Sequence, residues 1–235
     1  MRQFQTKQRA STRIGPHPKC ILELMTGNLL GDGSLEKRHN ATRFVFSQEG
    51  KNMEYLHWLH KQFAVYGYCS PKKPIQHTRI GKGNTVRRVI RFRTWSYSSF
   101  NWCYDAFYPP VVQKPKLPYV MRCKLPYFPL KRQKKIPEML HEWLTPRSLA
   151  VWFMDDGSVS GNSGGLQFAT NCFTKHDLQR VQHILNIQFN LFSKLHSDKH
   201  QYVLALGQKD AAKLASLILP WIHPSMKYKI RFVKL

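Results

Sequence analysis

Acidic residues are scarce in this chain. Against 37 Lys and Arg stand 13 Asp and Glu in 235 residues, a formal net charge of +24 with a pI near 10.1. Such a field attracts polyanions. The imbalance is spread along the chain: residues 1–118 carry 20 basic and 6 acidic groups, and residues 119–235 carry 17 and 7. That excludes a basic tail on a neutral domain. Cysteines are few and odd in number, at Cys20, Cys69, Cys103, Cys123 and Cys172, with no Cys-x-x-Cys spacing. This argues against a disulfide framework or a structural zinc site and points to a reducing compartment. No apolar run reaches the roughly 18 residues that a spanning helix needs, and no long basic-faced amphipathic anchor stands out, so no membrane partner is expected. The eleven histidines are scattered, and no His-based metal site is read from them. Hydrophobic residues still make up 42%, enough to bury a core.

Two short stretches dominate what is present. One is Thr26-Gly27-Asn28-Leu29-Leu30-Gly31-Asp32-Gly33; the other is Leu149-Ala150-Val151-Trp152-Phe153-Met154-Asp155-Asp156-Gly157. Each is an apolar, helix-compatible run that ends in Asp-Gly, and they are spaced by about half the chain. The end of a helix disfavours an anion, because the last carbonyls already carry partial negative charge. The following glycine fits a left-handed cap. Two such helices side by side would bring two carboxylates and two sets of free carbonyls together, which is unfavourable unless a cation fills the gap. All-oxygen ligation favours a hard ion such as Mg²⁺.

The elements after each Asp-Gly run in the same order. In the first half, Cys20 to Gly31 reads as a helix and Leu35 to Gln48 as a hairpin turning at His39-Asn40. Lys51 to Tyr66 is a helix with Met53, Leu56, Leu59 and Phe63 on one face. Pro71 to Thr94 is a hairpin turning at Gly81-Lys82-Gly83-Asn84, and Ser98 to Phe107 is a third helix. In the second half, Pro146 to Asp156 is a helix with Thr145 as cap and proline at its first position. A hairpin from Ser158 to Asn171 follows. Next come a helix from Thr174 to Phe189, with Asp177 three residues after its cap, a hairpin from Leu191 to Leu206, and a helix from Gln208 to Leu219. Both halves therefore read α-β-β-α-β-β-α, an α+β chain with antiparallel sheets. Residues 1–18 form a basic N-terminal arm, 19–108 the first unit, 109–137 a Pro-rich basic linker and 138–235 the second unit. The arm carries Arg2, Lys7, Arg9 and Arg13 and superficially resembles an organelle transit segment. It lacks an apolar face, and a flexible arm fits as well. Seven prolines and a basic cluster mark the linker as an extended surface connector.

Along Val86 to Thr94, Arg87, Val89, Arg91 and Arg93 alternate with Arg88, Ile90 and Phe92. Most of the arginines share one sheet face, and Ile90 and Phe92 turn toward the helices. An antiparallel sheet with one arginine-rich face suits the major groove of DNA. Arg87, Arg91 and Arg93, with Arg43, Arg79, Lys82, Lys194 and Lys199, are the candidate DNA-contacting cations.

At these residues the chain resembles the LAGLIDADG homing endonucleases in their single-chain, two-motif form, over roughly residues 20 to 233. The resemblance implies two αββαββα domains related by a pseudo-twofold axis, motif helices at the centre and two curved sheets forming a saddle over duplex DNA. It implies catalytic acids at Asp32 and Asp156, with metal ions such as Mg²⁺ also bound by the backbone carbonyls of Gly31 and Asp155. It implies polar site residues at Gln48 and Asn171, which would order the attacking water. Active-site lysines are implied at Lys229 and at either Lys134 or Lys135. The family's motif helices pack through small residues. Gly27 and Gly31 fit, whereas Val151 and Asp155 depart, which predicts looser contact there and an Asp155 side chain turned to solvent. The implied activity is site-specific cleavage of double-stranded DNA at a long target, by a monomer encoded in an organelle intron. Two rivals stand beside it: an RNA maturase acting on intron RNA, and a non-catalytic DNA-binding protein.

Overall fold

The computed structural model describes residues 8–110, 132–160, 164–198, 201–231 and 233. The first half runs α1 (Lys19–Leu30), β1 (Ser34–Arg38), β2 (Ala41–Glu49), α2 (Met53–Val65), β3 (Gln76–Ile80), β4 (Val86–Arg93) and α3 (Asn101–Phe107). A single turn, α4 (Leu140–Trp143), precedes the second half. That half runs α5 (Pro146–Asp156), β5 (Gly157–Ser160), β6 (Gly165–Phe168), α6 (Lys175–Phe189), β7 (Ser193–Asp198), β8 (Gln201–Leu206) and α7 (Gln208–Ile218). The duplicated element order expected from the sequence is therefore present. The sheets are antiparallel and four-stranded, in the orders β1-β2-β4-β3 and β5-β6-β8-β7. Two such units, related by a pseudo-twofold axis, make the α+β saddle.

Local sequence explains why the elements start where they do. Thr145 caps α5 in a reciprocal capping box: its hydroxyl accepts from the Ser148 N–H, and Ser148 Oγ accepts from the Thr145 N–H at 2.7 Å. Pro146 occupies the first turn, where a missing N–H costs nothing. Thr174 caps α6 and accepts from the Asp177 N–H at 3.1 Å. On α2, Leu56, Leu59 and Phe63 are fully buried, whereas Met53 at the helix start is exposed.

Alternation sorts each sheet into two faces. Phe44, Phe46, Ile90 and Phe92 face the helices and stack on one another, with Phe46 and Phe92 ring centroids 4.5 Å apart. In the second sheet Leu166, Phe168, Leu204 and Leu206 take the equivalent places. The opposite faces form the concave surface.

At the centre, α1 packs against α5. A Cβ built on Gly27 would lie 2.4 Å from the Ser148 carbonyl oxygen and 2.6 Å from the Val151 Cβ. One built on Gly31 would lie 2.5 Å from the Asp155 Cβ. The looser contact expected at Val151 and Asp155 is therefore corrected. The glycines of α1 make room for larger residues of α5, so tightness comes from one helix alone. The left-handed cap expected at the Asp-Gly glycines is also corrected. Gly157 is extended (φ −77°, ψ 145°), and Gly33 is not among the positive-φ residues. Both are glycine for want of space. A Cβ on Gly157 would meet the Phe153 ring at 2.2 Å, and one on Gly33 would meet the Asn28 carbonyl oxygen at 2.7 Å.

The arm is tied down from residue 10 onward. Arg13 donates to the Ser96 carbonyl at 2.8 Å and lies over the rings of Trp95 and Tyr97. His17 stacks on Phe100 with centroids 4.1 Å apart and bonds the Tyr68 hydroxyl at 2.7 Å. Most of the proline-rich linker lies outside the described residues. Its end returns to the first unit, where the Lys135 N–H donates to the Phe107 carbonyl at 2.8 Å. No helix among the described residues is long and apolar enough to cross a membrane.

Candidate active site

The packing of α1 on α5 puts both Asp-Gly corners on the floor of one open cleft of about 840 Å³. Asp32, Gln48, Asp155, Asp156 and Lys229 line it, and Arg79 and Arg87 stand on its wall. Because α1 and α5 end side by side, three carboxylates feel one another. Burial raises the Asp32 pKa; the Gln48 hydrogen bond and the charges of Lys229 and Lys134 pull the other way. Asp32 nonetheless remains exposed to solvent within the open cleft. Burial, then the charge on Asp32, pushes Asp156 up to about 7. Asp155 is held well above the ordinary carboxylate range by burial and by the charges of Asp32 and Asp156.

A lysine meets the end of each helix. Lys134 Nζ donates to the carbonyls of Gly31 at 2.8 Å and Gly33 at 2.9 Å. Lys229 Nζ donates to Met154 at 2.6 Å and Asp155 at 3.1 Å. Cations are favoured at these negative helix ends. Burial lowers the pKa of both lysines, and the three nearby aspartates oppose that. Of the two lysines expected there, Lys134 meets the end of α1, whereas Lys135 is exposed.

Gln48 lies between the carboxylates of the two motif helices. Its amide nitrogen donates to Asp32 Oδ2 at 2.8 Å and to Asp155 Oδ1 at 3.0 Å, and its oxygen accepts from Asn52 at 2.9 Å. Both N–H groups are thereby committed to carboxylates. Asp155, expected at the surface, is instead 8% exposed. Its Oδ2 is buried beside the Tyr55 hydroxyl, which interacts with this carboxylate. This placement follows from Gly31, whose missing side chain leaves the space that Asp155 fills.

Asn171 lies away from the carboxylates. It is exposed and donates to Gln201 at 2.9 Å. Strand register explains why. Gly157 pairs with Phe168, and extending the β1–β2 register places Gly33 opposite Phe46, so the counterpart of Gln48 is Thr170. Thr170 is fully buried and donates to the Tyr202 carbonyl at 2.8 Å. The centre is thus asymmetric. Sequence reasoning missed the Asp155 side chain, Tyr55 and Asn52. The tandem Asp155-Asp156, set against Gly31-Asp32, was the available signal for the first; nothing local marked the other two.

Among the candidate cations, Arg79, Arg87, Arg91 and Arg93 are exposed on β3 and β4, on the concave face. Arg43 is not free: its Nε donates to Glu36 at 2.8 Å, and that contact lowers the Glu36 pKa against the opposing effect of burial. Lys194 is exposed on the outer strand β7. Lys199 lies outside the described residues, as does the Lys82 side chain. No cluster of three or more His, Cys, Asp or Glu arranged to hold a metal occurs among the described residues.

Two curved antiparallel sheets joined at a paired-helix, paired-acid centre define the class of single-chain, two-motif saddle proteins. Comparison with known proteins agrees. Residues 22–214 match the family model described as the LAGLIDADG DNA endonuclease family, and the chain belongs to that family. It is 36% identical over 230 residues to the cytochrome b mRNA maturase bI2 of Saccharomyces cerevisiae, covering 95% of this chain and 50% of the relative. It is 35% identical over 219 residues to its namesake in Debaryomyces hansenii, covering 92% of this chain and 75% of that one. The chain thus spans half the length of the first relative and three quarters of the second. Among solved structures, the homing endonuclease I-WcaI bound to its DNA recognition sequence superposes with a TM-score of 0.76 at 24% identity, covering 97% of this chain and 94% of that one.

Proposed function

We propose that the chain is a site-specific endonuclease for double-stranded DNA, of the intron-homing type. It would act as a monomer and hydrolyse one phosphodiester bond in each strand. The observation that carries this reading is that each central helix ends in an acid and a lysine-bound carbonyl, Asp32 beside the Lys134 contact and Asp156 beside the Lys229 contact, with both acids in one cleft walled by Arg79 and Arg87.

The donor set fits a hard divalent cation such as Mg²⁺. Asp32 and Asp156 offer carboxylate oxygens. The carbonyls of Gly31 and Asp155 each accept one lysine N–H and keep a second lone pair. Too few side chains are present to enclose an ion fully, which suits a metal completed by water and substrate phosphate. When bound, such ions would lower the pKa of a water and neutralise charge on the phosphoryl oxygens.

The chain's own groups do the rest. Lys134 spends two of its three N–H groups on backbone carbonyls and has one left for a phosphoryl oxygen. Gln48 fixes the orientation of Asp32 through a bond anchored on Asn52 and Asp155. Asp32→Asn or Asp156→Asn should abolish cleavage while DNA binding survives; full cleavage by either variant would refute the assignment.

The maturase reading keeps a specific support: two relatives at 35–36% identity carry that name. It would be favoured by tight binding to structured intron RNA in preference to duplex DNA, undiminished in the Asp32→Asn, Asp156→Asn double variant. Encoding within an organelle intron belongs to either reading and rests on the same cytochrome b relatives.

A further inference from the structure

The two concave faces differ in charge at several equivalent positions. Phe92 and Leu204 hold the same place in their sheets, opposite Phe46 and Phe168. Counting outward along β4 and β8 from that pair, Arg91 corresponds to Val203, Arg93 to Ala205 and Val89 to Gln201. On the neighbouring strands, Val45 corresponds to Gln167 and Arg43 to Gly165. A pseudo-twofold saddle brings equivalent positions to equivalent base pairs on either side of the centre.

The first face therefore presents Arg79, Arg87, Arg91 and Arg93, all exposed, with only Glu36 near Arg93 and Glu49 in the cleft beside Arg79 and Arg87 to offset them. Four cations on adjacent strands repel one another unless something negative lies over them. Among the described residues, the inner strands of the second face carry no Lys or Arg; the same count sets Arg87 against Lys199, which lies outside them. Gln167 is half-buried and within reach of Ser158 at 3.2 Å, Val203 is half-buried, and Gln201 is exposed. Its basic groups stand on the outer strand, at Lys194 and His196.

Base edges distinguish these surfaces. Arginine pairs bidentately with guanine O6 and N7, glutamine with adenine N6 and N7, and small apolar groups pack on the thymine methyl. We infer that the target is compositionally asymmetric: the half-site under the first sheet is guanine-rich on the strand facing Arg91 and Arg93, and the half-site under the second sheet is A·T-rich, read by Gln167, Gln201 and Val203. The inference rests on the duplex-DNA reading above and narrows its substrate.

The test is selection of bound sequences from a randomised duplex library by the full chain carrying Asp32→Asn and Asp156→Asn, repeated with Arg91→Ala and with Val203→Arg added separately. The expected consensus has one G-rich and one A·T-rich half. Arg91→Ala should relax guanine preference in the G-rich half alone, by roughly 5- to 150-fold at the contacted position. Val203→Arg should import a guanine preference at the mirrored position of the other half. Two halves of like composition, or an Arg91→Ala variant that weakens all sequences uniformly, would overturn the inference and leave the endonuclease reading standing. Failure to retain any specific duplex would overturn both.

Discussion

Replacing Gly27 by alanine tests the central helix pair. The new Cβ would fall 2.4 Å from a backbone oxygen of Ser148, with the Val151 Cβ at 2.6 Å and its Cγ1 at 2.9 Å. An ordinary contact is about 3.5 Å or more, so α1 and α5 must part by roughly 1 Å. The obstacle includes a helix backbone, which no rotamer change can relieve. Overpacking of this kind costs about 1–3 kcal/mol, occasionally more. Alanine recovers about 1 kcal/mol over glycine in helix propensity. A net loss of about 1–2 kcal/mol is expected, which for a chain of this size lowers Tm by roughly 2–8 °C. Shortening Val151 to alanine in the same chain should return only part of the loss, because the Ser148 oxygen stays in place. Displacement by about 1 Å also separates Asp32 from Asp156, and misplacement on that scale costs on the order of 100-fold in rate. Thermal unfolding followed by circular dichroism, with cleavage assayed in parallel, reads both effects. A Gly27→Ala variant as stable as the parent would refute the close packing and the argument built on it.

Other expectations follow from the same geometry. Lys134→Met should lower cleavage by on the order of 100-fold or more, whereas Lys135→Met should cleave at nearly the parental rate, both measured in single-turnover assays; the reverse order would assign the site to the neighbouring lysine. Asp156 has a folded-state pKa raised to about 7, so the folded protein holds more protons there than the unfolded chain. Asp156 in metal-free protein should therefore contribute a loss of stability as pH rises from about 4 to about 7, and Asp156→Asn should remove that contribution in thermal melts compared with the parent across this range. Divalent-metal affinity, measured by calorimetry, should for the same reason fall as pH drops below about 7. Thr145→Ala should cost about 1 kcal/mol, seen as a lower midpoint in urea unfolding.

The sequence made the repeat legible because its cues are local. Thr145-Pro146 and Thr174 with Asp177 mark helix starts through contacts within one turn, and Leu56, Leu59 and Phe63 mark a buried face by spacing alone. The two acids were legible because an aspartate at a helix end is electrostatically conspicuous. What was hidden depends on pairing between distant strands and helices. Asn171 matches the Gln48 position by its place after a strand, yet register puts Thr170 there, and register is set by hydrogen bonds between β5 and β6. Asp155 looked like a surface residue because its neighbour across the helix pair, Gly31, lies 124 positions away in the chain. The Arg43–Glu36 ion pair was hidden because the two residues become adjacent only when β1 and β2 pair.

The most direct measurement is metal-dependent cleavage of a randomised duplex-DNA library, with the Asp32→Asn, Asp156→Asn double variant as control. The account predicts a discrete cleaved site that appears with Mg²⁺ and vanishes in the variant. Cleavage that persists in the variant would contradict the paired-acid centre. No cleavage by the parent chain, with tight salt-sensitive binding to intron RNA, would contradict the nuclease reading and leave the maturase in its place.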